Sequence, residues 1–180
     1  LFLLFFSLVV KGQTGSRLKM KIGSLKGQYV ELWSYYGDEE LFVDSVRFGE
    51  NGLANYHRKT MLKGGLYKIV FPNTNSFELI ITEPKVFLET DLVTPNKSMV
   101  IKKSEENRYY YAFKKFISSK REEMNKLIKD HKDRVITHEE FNRASKIVNE
   151  AIDNYKLNLI EKTQGMLVSD LLRAGMNPSI

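Results

Sequence analysis

Ile101-Lys102-Lys103-Ser104-Glu105-Glu106-Asn107 is the stretch where the chain changes its hydrophobic period. Upstream, polar and apolar residues alternate in short runs with turn residues between them; downstream, apolar residues recur every three or four positions. Ser104 is a helix N-cap, because its hydroxyl oxygen accepts a hydrogen bond from an orphan amide of the first turn. Glu105 and Glu106 then put negative charge at the positive end of the helix dipole. The stretch therefore marks an α+β chain with segregated halves: strands first, helices after.

Working back from Ser104, eight short runs have strand character: Arg17–Ile22, Tyr29–Tyr36, Leu41–Phe48, Leu53–Arg58, Leu66–Phe71, Phe77–Ile81, Val86–Thr90 and Met99–Ile101. In the second, Val30 and Leu32 share one face while Tyr29, Glu31 and Trp33 share the other. Gly37-Asp38-Glu39-Glu40 is a polar break. Gly49-Glu50-Asn51-Gly52 reads as a hairpin turn whose Asn-Gly supplies positive φ, with Leu53–Arg58 returning beside the third strand. Pro72-Asn73-Thr74-Asn75 closes another hairpin. Turn residues at this spacing predict an antiparallel β-sandwich over residues 14–103, in a meander, since no interval is long enough for a crossover helix.

Working forward, Tyr109, Phe113, Phe116, Ile117, Met124, Leu127 and Ile128 form one apolar stripe of a long helix ending near His131-Lys132-Asp133. Of the three consecutive tyrosines, Tyr109 joins the stripe and Tyr110 or Tyr111 reaches back onto the sheet. Thr137-His138-Glu139-Glu140 is a capping box that starts a second helix, running to about Lys162. The two pack as an antiparallel hairpin. Met166–Arg173 is a short third helix, closed by Gly175 and Pro178.

Composition narrows the chemistry. The chain has no cysteine, which removes disulfides, thiolate metal sites and a cysteine nucleophile from it. Its formal charge of +6 is spread along the chain without a basic block, so nucleic acid is not an expected partner. Leu1–Val10 is apolar but too short to span a bilayer, and residues 1–13 read as part of a secretory signal peptide whose start lies upstream. No transmembrane span is expected once that leader is removed.

No catalytic, metal-binding or cofactor-binding residue is assigned. His57, His131 and His138 lack metal-ligand spacing and read as surface residues. The carboxylate pairs Glu39/Glu40, Glu105/Glu106, Glu122/Glu123 and Glu139/Glu140 read as helix first turns or solvated faces. Glycosidase chemistry would need two carboxylates facing each other across a cleft, and no nucleophile elbow is present. The candidate ligand face is aromatic: Trp33, Tyr35 and Tyr36, with Tyr29 and Tyr67 near them. Exposed aromatics on a sandwich stack on sugar rings; the favoured reading of the same residues is core or a seat for the helices.

The leader, Tyr35-Tyr36-Gly37-Asp38, Gly49-Glu50-Asn51-Gly52, Gly64-Gly65-Leu66-Tyr67 and Ser104-Glu105-Glu106-Asn107, in that order, resemble the N-terminal region of exported thioredoxin-like proteins of Bacteroidetes. There a β-rich domain of the DUF4369 type is followed by a helical DUF5106-type segment and then by a TlpA/ResA-like thioredoxin domain with a Cys-x-x-Cys motif. The resemblance covers about Arg17 to Pro178. It departs at Lys103, where relatives commonly have Gly, and the redox cysteines have no matching position, so no catalytic residue carries over. The resemblance implies a non-catalytic accessory region in the periplasm or cell envelope. Its partners would be its own downstream thioredoxin-like domain and that domain's protein substrates. The alternative is a free-standing envelope module that binds glycan or peptide through Trp33, Tyr35 and Tyr36.

Overall fold

The computed structural model describes residues 15–175; the leader assigned to residues 1–13 and the closing Pro178 lie outside the described residues. Strands β1 (Arg17–Lys21), β2 (Tyr29–Tyr36), β3 (Glu39–Arg47), β4 (Leu53–His57), β5 (Gly65–Val70), β6 (Ser76–Ile81), β7 (Lys85–Glu89) and β8 (Val100–Lys103) come first. Helices α1 (Glu105–Lys132), α2 (His138–Lys162) and α3 (Leu167–Arg173) follow. All eight strands fall where alternation put them. The polar break shrinks to Gly37-Asp38, because Glu39 and Glu40 already pair with Tyr36 and Tyr35.

The strands form two four-stranded sheets, ordered β4-β1-β7-β8 and β3-β2-β5-β6. Their inner faces meet through Leu18, Met20, Leu32, Ile69, Leu79 and Leu88, all fully buried. This is a sandwich, mostly antiparallel, but it is not a meander. β1 and β7 run parallel, Leu18 beside Val86 and Met20 beside Leu88. The crossover that a parallel pair requires is made not by a helix but by β2–β6, most of which build the opposite sheet.

The Gly49–Gly52 turn is a second correction. β4 does not return beside β3; it pairs with β1, so this turn carries the chain from one sheet to the other. Gly52 has φ +70°, and a Cβ there would lie 2.8 Å from Gly23 Cα and from the Ile22 carbonyl oxygen. Its own carbonyl accepts from the Ile22 amide at 2.8 Å, which fastens the corner to β1. Val46, Phe48, Ala54 and Tyr56 alternate with outward residues and are buried. Alternation says nothing about which sheet a strand joins, because both sheets send the same alternate residues to the one interior.

The helices join this core rather than forming a separate one. Tyr110, Tyr111, Phe113, Ile117, Leu159, Val168 and Leu172 are continuous with the interior of the sandwich. Both Tyr110 and Tyr111 reach β6, and Tyr109 is left half-buried under the Lys162 ammonium. Ser104 caps α1 by accepting from the Asn107 amide, and the capping box at Thr137 and Glu140 is complete.

Candidate functional site

The outer face of the β3-β2-β5-β6 sheet gathers most of the residues that could carry chemistry. Trp33 and Tyr35 project there from β2. Trp33 is half-buried, its indole N–H donates to Glu31 Oε2 at 2.9 Å, and its ring meets Phe42 edge-on with centroids 5.4 Å apart. Phe42 is 54% exposed, so this pair forms an open aromatic patch rather than core. Lys68, the next strand across, donates to both carboxylate oxygens of Glu40 at 2.8 and 2.9 Å.

Tyr36 is not part of this face. Alternation turns it to the other side of β2, where it is exposed with Lys63 5.2 Å from its ring centroid. It lines an open hollow of about 420 Å³ with Ser34, Tyr35, Leu41, Lys63 and Tyr67. Trp33 does not border that hollow, so the sheet separates Trp33 from Tyr36 while Tyr35 borders both. Tyr29 is exposed, and Tyr67 is buried in the interior with its hydroxyl on the Lys63 carbonyl.

Tyr35 leads to a cluster that alternation alone did not show. Its hydroxyl donates to Glu78 Oε1 at 3.0 Å, and Tyr110 donates to Glu78 Oε2 at 2.7 Å. Tyr111 donates to the Glu78 carbonyl oxygen at 2.6 Å. Lys114 lies 3.8 Å from Glu78 Oε2, with the rings of Tyr110 and Tyr111 5.3 and 5.6 Å away. Burial, and then the Glu78 charge, push the pKa values of Tyr35, Tyr110 and Tyr111 well above the ordinary phenol value. Burial also depresses the Lys114 ammonium, with Glu78 opposing the shift. Lys114 Nζ is buried and makes no hydrogen bond. The phenols act as neutral donors, and the cluster ties α1 to β6.

The remaining candidates have local explanations. His57 is exposed at the end of β4, and His131 and His138 meet at the hairpin tip, ring centroids 5.5 Å apart. Among the described residues no group of three or more His, Asp or Glu is placed to hold a metal ion. Glu122 and Glu123 pair with Lys97 and Lys120, and Glu139 with Arg143. Glu106 differs: it is buried, and its two oxygens accept from the Leu167 and Val168 amides at 2.8 and 2.9 Å. A glutamate in the first turn of α1 thus caps α3, while Glu83 accepts from the Glu105 amide at 2.7 Å in the role first given to the α1 acids.

No family model matches this chain, and no curated protein does. Among solved structures it is similar to (S)-allantoin synthase at 9% identity and a TM-score of 0.37, over 52% of this chain and 46% of that protein. The match therefore spans less than half of that enzyme, and a likeness at this level carries no argument.

Proposed function

We propose that this chain is a non-catalytic accessory region of an exported, envelope-located thioredoxin-like protein, in which the sandwich is a base and the helical hairpin a projecting arm. The observation that supports this reading is the division of the hairpin into a fixed root and a free tip. Every buried residue of α1 lies between Glu106 and Ile117, and α2 has none before Val148. The remainder of α1, Ile117 to Lys132, reaches about 22 Å beyond that root at 1.5 Å per residue. Val135 at the tip is 71% exposed. An arm rooted in the sandwich and projecting beyond it suits a spacer or a surface for a partner domain. No helix among the described residues is long and apolar enough to cross a membrane.

The test is to read the coding DNA past the codon for Ile180. A frame running on into a thioredoxin-like segment with Cys-x-x-Cys is the expected result; a stop codon there would remove the accessory reading. The open Trp33–Phe42 patch favours a second reading, a module that binds a neutral glycan. Trp33→Ala would then cost about 1 kcal/mol of stability, far below the roughly 3–5 kcal/mol of a buried Trp, while abolishing retention on a glycan matrix.

A further inference from the structure

The two sheets of the sandwich carry opposite charge. The four strands of the β4-β1-β7-β8 sheet hold six Lys and Arg side chains and one carboxylate, Glu89. The strands of the other sheet hold two cations against five carboxylates. Arg17, Lys19 and Lys21 alternate with the buried Leu18 and Met20, so all three stand on one outer face, about 7 Å apart along β1. Lys85 lies beside Arg17 on β7, and Lys102 joins the face from β8 through its contact with Glu89 at 3.3 Å. Like charges on neighbouring strands repel, so this face is assembled at some expense of stability.

The cations surround an open groove of about 470 Å³. Lys19, Lys21 and Lys102 line it, with Phe87 and Leu53 as an apolar floor and Asn51 and Glu89 as polar groups. That lining matches an acidic carbohydrate. Lysines meet its carboxylates as point charges, the sugar's C–H face lies on Phe87 and Leu53, and Asn51 and Glu89 bond its hydroxyls. Two other polyanions fit less well. Phe87 is the one aromatic lining the groove, so a run of successive bases finds only a single ring to stack on. β1 and β7 are paired on both sides, so an acidic peptide could add as a strand only at the edges β4 and β8 and not along Lys19 and Lys21. The geometry points to a binding site for an acidic polysaccharide on the outer face of the β4-β1-β7-β8 sheet, independent of the thioredoxin-like reading and of the Trp33 patch.

The test uses the whole chain and four probes at low ionic strength: polygalacturonate, neutral dextran of similar length, oligo-dT and poly-glutamate. Polygalacturonate should bind, dextran should not, and the other two should bind at least tenfold more weakly. Lys19→Gln, Lys21→Gln and Lys102→Gln, checked by thermal unfolding, should each weaken polygalacturonate binding about fivefold or more. Lys146→Gln, far away on exposed α2, should leave it unchanged. Oligo-dT or poly-glutamate binding as tightly as polygalacturonate overturns the assignment. So does equal weakening by all four substitutions, or failure of polygalacturonate to bind.

Discussion

Replacing Asn107 by alanine strands two buried backbone groups, which makes it the most informative single substitution. Its Oδ1 accepts from the Ile80 amide at 2.8 Å, and its Nδ2 donates to the Ile80 carbonyl at 2.7 Å and to Ser104 Oγ at 2.8 Å. Ile80 lies on β6, the edge of its sheet, so the Asn107 side chain pairs with it as a further strand would. Asn107→Ala should cost about 3 kcal/mol in urea unfolding, since each unsatisfied buried group costs about 1–3. A cost near zero would mean that water reaches the edge freely. Lys114 should behave oppositely. Its charge is buried, without a hydrogen bond, while Glu78 keeps the phenols of Tyr35 and Tyr110. Lys114→Met should therefore raise stability by about 1 kcal/mol. A loss of more than about 2 kcal/mol would show that attraction to Glu78 outweighs the desolvation.

Among the elements, α3 is the one most dependent on a distant residue. It is short, its own N-cap Met166 makes no side-chain cap, and Glu106 supplies both acceptors for its first amides. Glu106→Gln turns an amide group toward an N–H donor, leaving one acceptor for two amides. The expected cost is about 2 kcal/mol, with hydrogen exchange at Leu167 and Val168 rising before exchange in β5 and β6 does. Exchange rising everywhere together would show that α3 is not a separately opening unit. The hairpin root is more robust. Tyr155 stacks on Phe116 with ring centroids 4.1 Å apart and on Phe113 at 6.3 Å, so three rings from two helices close it.

At the scale of the molecule, the tyrosine cluster sets the response to alkali. Tyr35, Tyr110 and Tyr111 have folded pKa values raised by burial and then by Glu78. A phenol with a raised folded pKa stabilises the fold fully below its unfolded value of about 10 and loses that contribution as the pH rises beyond it. Stability should thus fall steeply above about pH 10, with tyrosinate absorbance appearing together with unfolding. Tyr110→Phe should flatten that fall, and tyrosinate appearing in the folded chain well before unfolding would contradict it. Lys114 acts in the other direction. Its folded pKa is depressed, so between that value and the unfolded one of about 10 the unfolded chain binds the extra proton and stability climbs with pH. Lys114→Met should remove that climb.

The sequence by itself determined the eight strands, the three helices, the junction at Ser104 and the inward Val30 and Leu32 face of β2, because these rest on local periodicity and on caps that act within one turn. It also carried, unused, the Arg17-x-Lys19-x-Lys21 alternation that marks the basic face. Only the tertiary structure decided that β4 crosses at Gly52 to pair with β1, and that β1 runs parallel to β7. It alone seated Asn107 on Ile80 and used Glu106 for a helix sixty residues on. The physical reason is that alternation fixes which side of a strand is apolar, while partner choice depends on long-range pairing and on buried polar groups finding one another across the core. The same holds for charge. A net +6 that looks dispersed along the chain becomes a basic sheet and an acidic one only when the strands are sorted into layers.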